Sequence, residues 1–128
     1  MFDTVLIAGL GLMGGSMAKT IKARTISRVL GWNRTRATAE QALADGSIDA
    51  IATDALFREV DLVIIGLYPQ ATVDWLLENM PKMKKGCVIV DMVGVKQFMV
   101  DHVEQEALDT GVHYVGGHPR AGRELYGL

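Results

Sequence analysis

The sequence predicts an α/β fold in which helices cover both faces of a doubly wound, mostly parallel sheet, all within a single domain. Short β-branched apolar runs alternate along the chain with longer helical patterns, which is typical of a parallel sheet. The apolar runs show no polar face, as expected for strands that are buried on both sides. With 128 residues, 49% of them hydrophobic, the chain is large enough for one core.

The predicted elements follow one another without a repeat or a linker. Gly46, Pro81 and Gly111 mark helix ends, and Pro69 marks a helix start. The predicted strands are residues 5–8, 28–32, 48–52, 61–66, 87–91 and 112–115, the third being a weak strand or a turn. The predicted helices are residues 13–24, 35–45, 69–80 and 95–110.

Composition excludes several classes of function. A formal net charge of −2 indicates neither a nucleic-acid partner nor an anionic membrane surface. Cys87 is the single cysteine, so no internal disulfide and no metal site are expected, and its apolar neighbours predict a buried side chain. No run approaches the ~18 apolar residues of a membrane span. A first strand carrying Asp3, rather than a signal peptide, indicates a cytoplasmic protein.

Residues 9–14, Gly-Leu-Gly-Leu-Met-Gly, leave an apolar strand and enter a helix, which is the context of a dinucleotide-binding motif in a Rossmann-type fold. Gly9 allows the tight turn, Gly11 lets the backbone approach a pyrophosphate, and Gly14 lets the helix pack closely on the strand. The pyrophosphate is expected at the helix N-terminus, beside Leu12 and Met13. The alternative is a glycine-rich turn in a flavodoxin-like sheet that binds no dinucleotide.

Chemically distinctive segments lie at the predicted carboxyl ends of the strands. In an open α/β sheet, ligands bind in the crevice beyond these ends. We therefore expect Leu67, Pro69, Val93 and Gly94 to line the cofactor site together with the glycine motif. The segments are residues 9–15, 33–36, 67–70, 92–96 and 116–123.

The end of the second strand favours NADP over NAD as the cofactor. NAD sites place an Asp or Glu here, which accepts hydrogen bonds from the ribose 2′-hydroxyl. This chain has Asn33, Arg34, Thr35 and Arg36 instead, so two guanidinium groups are available to pair with a 2′-phosphate. Thr35 is also a candidate N-cap of the second helix. The alternative is a pair of solvated arginines in the first turn of that helix.

The segment 116–124, Gly-Gly-His-Pro-Arg-Ala-Gly-Arg-Glu, resembles a loop of the prephenate and arogenate dehydrogenases, Gly-(Gly/Ser)-His-Pro-x-Ala-Gly followed closely by an acid. Residues 9–16, Gly-Leu-Gly-Leu-Met-Gly-Gly-Ser, are similar to the start of that family's cofactor domain. Residues 61–65 and 91–96, Asp-Leu-Val-Ile-Ile and Asp-Met-Val-Gly-Val-Lys, resemble its fourth strand and the loop after its fifth. The resemblance covers essentially the whole chain.

The resemblance implies an oxidoreductase of tyrosine biosynthesis that oxidatively decarboxylates prephenate, or arogenate, with NAD(P)+; prephenate gives 4-hydroxyphenylpyruvate. In the family, the histidine of this loop assists deprotonation of the ring hydroxyl, a role that corresponds to His118. The chemistry agrees, because imidazole titrates close to neutral pH and an alcohol that loses hydride needs a proton acceptor. His102 and His113 are expected on the surface.

Three positions bear on the substrate. Gly94 stands where the family often has a serine near the ring hydroxyl, so either a backbone group or a water replaces that hydroxyl or the subfamily does without it. Lys96 matches the family, although a lysine at a solvated helix start is the structural alternative. Arg120 replaces a more usual apolar residue and is a candidate contact for a substrate carboxylate, with a solvated arginine as the alternative.

The resemblance also implies a second, mostly helical domain after the cofactor domain, which forms a homodimer, closes the cleft and supplies the arginine that holds the ring carboxylate. The chain ends just after the histidine loop. We therefore expect it to be a cofactor domain alone, a piece of a longer protein or a natural truncation, and to be inactive in isolation.

Two other interpretations remain open from the sequence. One is the cofactor domain of an NADP-linked dehydrogenase of the β-hydroxyacid group, which shares an Asn-Arg-Thr-like strand end but lacks the histidine loop and uses a lysine from a later domain. The other is a stand-alone nucleotide-binding domain without catalytic activity.

Overall fold

In the part of the chain that the structure describes, six strands form one sheet in the order β3-β2-β1-β4-β5-β6, and every neighbouring pair is parallel. The structure, a computed structural model, describes residues 2–95 and 99–116. The strands are β1 (Thr4–Ala8), β2 (Arg28–Trp32), β3 (Ala50–Ile51), β4 (Leu62–Ile65), β5 (Val88–Asp91) and β6 (His113–Val115). The α-helices are α1 (Leu12–Arg24), α2 (Arg36–Ala44), α3 (Pro69–Asn79) and α4 (Val100–Thr110), and the 3₁₀-helices are Asp54–Glu59 and Met80–Lys82.

The strand order confirms the predicted Rossmann-type fold and excludes the flavodoxin-like alternative. From the central strand β1, the chain first moves outward to β2 and β3, then returns to β4 on the other side of β1. A flavodoxin-like sheet has the order 2-1-3-4-5 instead. The order therefore reverses between β1 and β4, and the crevice for a ligand opens there, at the carboxyl edge.

Two apolar clusters, one on each face of the sheet, form the core. Along β1, Leu6 belongs to one cluster, whereas Val5 and Ile7 belong to the other, as the alternation of a strand requires. Leu76 of α3 packs in the cluster of Leu6, and Ala18 of α1 packs in that of Ile7. Both faces are thus covered, which explains why the strands read as continuous apolar runs.

The predicted start of the last helix, Val95, is too early. Residues 92–95 are not helical, α4 begins at Val100, and residues 96–98 lie outside the described part of the chain. The Asp91 carboxylate accepts the N–H groups of Val93 (3.0 Å) and Gly94 (2.8 Å), and Gly94 has a φ of 90°. A side chain that bonds the following amides competes with helix formation, so this segment turns instead.

The 3₁₀-helix Asp54–Glu59 was not predicted. It is held by local bonds such as that from the Leu56 N–H to the Thr53 carbonyl (2.9 Å), and its Phe57 side chain is buried. Such a short segment has no helical period of apolar residues to reveal it.

Among the described glycines, Gly14 has the least room for a side chain. A Cβ there would lie 1.8 Å from the Gly9 carbonyl oxygen, whereas a Cβ on Gly11 would meet nothing within 4 Å. We expect Gly14→Ala to lower the free energy of unfolding by about 3 kcal/mol, because backbone has to move. Gly11→Ala is the matched control and should change it by less than about 0.5 kcal/mol. Urea denaturation followed by circular dichroism measures both, and equal stability of the two variants would contradict the packing argument.

Candidate functional site

The glycine turn has the geometry that the sequence predicts. Gly9 has a φ of 98°, and a Cβ on it would lie 2.8 Å from the Gly66 carbonyl oxygen. Its N–H donates to the Trp32 carbonyl (2.8 Å), which ties the turn to the end of β2. Gly11 is the N-cap of α1 and is exposed, so the backbone is open to a ligand at this point.

Helix α1 presents its N-terminus to the crevice without a capping side chain. Its first turn, which contains Leu12, Met13 and Gly14, has no acidic residue, and no described side chain bonds the N-cap. Helices α2 and α3, which follow β2 and β4, likewise lack a side-chain cap and an acid in the first turn, and Pro69 opens α3. Unsatisfied amides and the helix dipoles give this edge a positive potential, which fits an anionic group.

Asn33 supports the glycine turn from the end of β2. Its Oδ1 accepts the Leu10 N–H (2.7 Å), and its Nδ2 donates to the Thr35 carbonyl (3.1 Å). Because both polar atoms of the amide already have protein partners, the side chain joins two loops of the site. Thr35 is the N-cap residue of α2, as predicted, but its hydroxyl makes no cap bond, and the Thr38 N–H bonds to its carbonyl (3.1 Å).

The two arginines of the second strand end have different surroundings. Both are exposed, but the Arg36 Nε lies 3.6 Å from the Glu40 carboxylate one turn along α2. Arg34 forms no ion pair with any residue of the described part of the chain. It lines a cleft of about 440 Å³ between the ends of β2 and β4, together with Trp32, Leu67, Tyr68 and residues of α3 that include Asp74 and Glu78.

Aromatic rings form one wall of this cleft. Trp32 and Trp75 meet edge to face with their ring centroids 5.9 Å apart, and Trp75 is almost completely buried. Tyr68, beside Pro69, is 86% exposed. The half-buried Trp32 and the exposed Tyr68 therefore offer ring surface to a planar ligand here, next to a guanidinium group.

Two further cavities flank the glycine turn. A groove of about 680 Å³ between α1 and α2 is lined by Gly11, Ser16, Lys19 and Thr38 among others. A cavity of about 20 Å³ lies on the other side, among Met13, Gly14, Gly66, Met92 and their neighbours. The larger groove contains only Gly11 of the predicted site residues, so the aromatic cleft with Arg34 and Leu67 is the better-supported ligand site.

The loop after β5 is held by a fully buried carboxylate. Besides the N–H groups of Val93 and Gly94, Asp91 accepts the Tyr114 hydroxyl of β6 at 2.9 Å. Burial, and then the Asp91 charge, raise the pKa of Tyr114 above its ordinary value, so the hydroxyl keeps its proton. Sequence reasoning missed Tyr114, because a tyrosine in a short apolar strand gives no signal beyond that of a core residue.

Three predicted residues, His118, Lys96 and Arg120, lie outside the described residues. His102 and His113 are exposed, as predicted. Cys87 is buried, as predicted, and burial raises the pKa of its thiol to about 12.

Within residues 2–95 and 99–116, no group of three or more His, Cys, Asp or Glu side chains is arranged to hold a metal ion. Nor does any helix in these ranges have the length and apolarity to cross a membrane.

The fold and the glycine turn define a dinucleotide-binding domain, and comparison with known proteins assigns the family. The family model described as the NAD binding domain of 6-phosphogluconate dehydrogenase matches residues 4–122. The chain belongs to this family of NAD-binding domains.

Individual relatives confirm the resemblance that the histidine loop predicts. The chain is 36% identical to the prephenate dehydrogenase of Bacillus subtilis (strain 168) over an alignment of 132 positions, which covers 100% of this chain and 35% of that protein. It is 29% identical to the prephenate dehydrogenase of Lactococcus lactis subsp. cremoris (strain MG1363) over an alignment of 129 positions, which covers 97% of this chain and 36% of the relative. The chain thus spans about a third of the length of these curated relatives.

A solved structure shows the same fold. The prephenate dehydrogenase from A. aeolicus, in complex with hydroxyphenyl propionate and NAD+, superimposes with a TM-score of 0.78. The match covers 93% of this chain and 42% of that one, at 24% sequence identity.

A substitution at Gly11 is expected to affect ligand binding but not folding. We expect Gly11→Val to abolish dinucleotide binding, since its side chain would occupy the place of the pyrophosphate, while the fold stays intact because a Cβ meets no protein atom there. Calorimetric titration measures the affinity, and circular dichroism checks the fold. A folded variant with the affinity of the parent chain would show that the phosphates bind elsewhere.

Proposed function

We propose that this chain is the cofactor domain of a prephenate dehydrogenase, or of an arogenate dehydrogenase. The observation that carries the proposal is the Gly-Gly-His-Pro-x-Ala-Gly loop, which starts directly after β6 (His113–Val115), at the carboxyl edge of the sheet. The prephenate dehydrogenases among the relatives support it. The reaction is the oxidative decarboxylation of prephenate to 4-hydroxyphenylpyruvate, a step of tyrosine biosynthesis.

The described residues fit a dinucleotide. The pyrophosphate would lie on the amides of α1, where Gly11 leaves the backbone open, with Gly9 and Gly14 shaping the turn and Leu12 and Met13 opening the helix. The adenosine half would occupy the aromatic cleft of Arg34 and Leu67, at the start of α3 with Pro69. The nicotinamide half would reach the loop of Val93 and Gly94.

We infer a preference for NADP over NAD. Arg34 would bind the 2′-phosphate, because it lines the cleft and forms no ion pair with a residue of the described chain, although Asp74 and Glu78 line the same cleft. The Thr35 hydroxyl makes no cap bond, so it is available as a further donor. Arg36 contributes less, since Glu40 already pairs with it, and Asn33 contributes by holding the glycine turn.

In the proposed reaction, His118 accepts the proton of the substrate ring hydroxyl. A bound nicotinamide supplies the acceptor for the hydride that leaves the carbon of that hydroxyl. Carbon dioxide then departs, the electron pair of its bond to the ring makes the ring aromatic, and the resulting phenolate takes a proton back to give the product hydroxyl. The loss of carbon dioxide itself needs little acid–base assistance. Lys96 and Arg120 are candidates to hold substrate carboxylates, and a backbone group or a water at Gly94 takes the place of the family's serine hydroxyl.

A second, helical domain that forms a homodimer belongs to this proposal. It would close the cleft and supply an arginine for the ring carboxylate, so the isolated chain is expected to bind cofactor without turning over prephenate. A dehydrogenase of the β-hydroxyacid group is the second candidate, which the Asn-Arg-Thr strand end favours. It would take its catalytic lysine from the later domain and would not depend on His118.

Cofactor choice is testable on this chain. We expect NADP to bind more tightly than NAD, and Arg34→Gln to weaken NADP by about ten- to a hundredfold, or about 1.5–3 kcal/mol, while leaving NAD nearly unchanged. Arg36→Gln is the matched control, because its guanidinium already has Glu40 as a partner, and it should lose less. Isothermal titration calorimetry with both dinucleotides measures this. Equal affinities in the unsubstituted chain, or tighter NAD, would refute the preference.

The catalytic role is testable in the proposed two-domain protein. His118→Asn removes the base but keeps a hydrogen-bonding group, so we expect kcat to fall by about 10²–10⁴ while the Kd for cofactor stays within about twofold. Steady-state kinetics with prephenate, together with a cofactor titration, checks both. Near-normal turnover would exclude His118 from the mechanism and favour the β-hydroxyacid candidate. Absence of turnover in the unsubstituted protein would favour a non-catalytic nucleotide-binding domain.

A further inference from the structure

Asp91 and Tyr114 form a buried pair that joins two strands at the carboxyl edge. Asp91 is the last residue of β5 and has no exposed surface. Its Oδ1 accepts two successive loop amides, those of Val93 and Gly94, while its Oδ2 accepts the hydroxyl of Tyr114 on the neighbouring strand. A buried carboxylate that lacks hydrogen-bond partners destabilises the protein around it. Because the three bonds share one carboxylate group, each of them limits the rotation that would break the other two.

We propose that Tyr114 is a positioning residue for the nicotinamide half of the cofactor. Its hydroxyl fixes the rotation of the Asp91 carboxylate, and the carboxylate in turn holds the loop 92–94 in the shape that receives the ring. The inference rests on the proposed function, because it needs that half of a dinucleotide to reach this loop.

The backbone of the loop shows why it needs such a support. Gly94 has a φ of 90° and is buried, so the chain turns sharply between the end of β5 and Val95, which is also buried. Within the described chain, the only side-chain bonds to the amides of Val93 and Gly94 come from Asp91. If the carboxylate rotates, both amides lose their partner at once.

The same hydroxyl lies close to the start of the next loop. A Cβ built on Gly116 would be 3.7 Å from the Tyr114 oxygen, so the pair also lies beside the segment that leads to the histidine motif. Tyr114 precedes His118 by four residues in the sequence. One hydrogen bond thus connects the loop after β5 with the strand that carries the second loop.

The test compares two ligands in the Tyr114→Phe variant of this chain. We expect the affinity for intact dinucleotide to fall by about tenfold, because a charge-assisted hydrogen bond is lost. The affinity for ADP-ribose, or its 2′-phosphate, should change by less than about twofold, since these ligands lack the nicotinamide. Hydrogen exchange of the Gly94 amide should become faster.

Thr110→Val is the matched control. It removes a hydroxyl that donates to the Glu106 carbonyl (2.8 Å) at the end of α4, and it should leave both affinities unchanged. Asp91→Asn is a second variant in case Tyr114→Phe fails to fold. It keeps an oxygen for the two amides and should show the same selective loss to a smaller degree.

The outcomes separate the inference from the proposed function. A selective loss for the intact dinucleotide supports the positioning role. Equal weakening of both ligands, or no change in either, overturns it, since the first indicates general structural damage and the second an unimportant bond. If the unsubstituted chain binds neither ligand, the proposed function fails, and this inference fails with it.

Discussion

The close contact between the first helix and the first strand is the constraint on which the site depends. Gly14 has no room for a side chain against the Gly9 carbonyl, so α1 lies directly on β1 and its N-terminus points into the crevice between β1 and β4. Gly9, with its positive φ, makes the turn that this approach requires. Any larger residue at either position would move the helix away and withdraw its amides from a bound phosphate.

The two edges of the sheet differ in their electrostatic character. At the amino edge, Asp61 accepts the N–H groups of Asp3 and Thr4 at 2.9 Å each, and a hydrogen bond from the Lys84 ammonium lowers the pKa of its carboxyl group. The Asp61 carboxylate is thus neutralised by protein groups. At the carboxyl edge, helices α1, α2 and α3 have no acidic residue in their first turns, and Arg34 forms no ion pair within the described chain. The N-termini of these three helices therefore favour a phosphorylated ligand at the carboxyl edge.

The sequence predicted the fold well because its signals are local. Alternating apolar runs, the glycine motif and the helix-ending glycines predicted the six strands and four α-helices of the described residues with small boundary errors, apart from the start of α4. At Val95, the predicted start of this helix, the chain is only leaving a turn in which Asp91 accepts the Gly94 amide and Gly94 has a φ of 90°, and no period of apolar residues reveals such a turn. The contacts that hold the loops were predicted less completely: the bond from Tyr114 to Asp91 spans 23 positions of sequence, and no sequence signal indicates that the Asn33 amide bonds Leu10 and Thr35.

Asn33 and Asp91 illustrate a shared arrangement in this domain. Each lies at the end of a strand next to β1 or β4, and each uses its side chain to hold the backbone of a loop rather than to extend into the crevice. Asn33 holds the glycine turn through Leu10, and Asp91 holds the loop of Gly94. Loops fixed in this way lose little further freedom when a ligand binds, which favours affinity. The polar residues at strand ends therefore divide into those that shape the crevice and those, such as Arg34, that are left exposed within it.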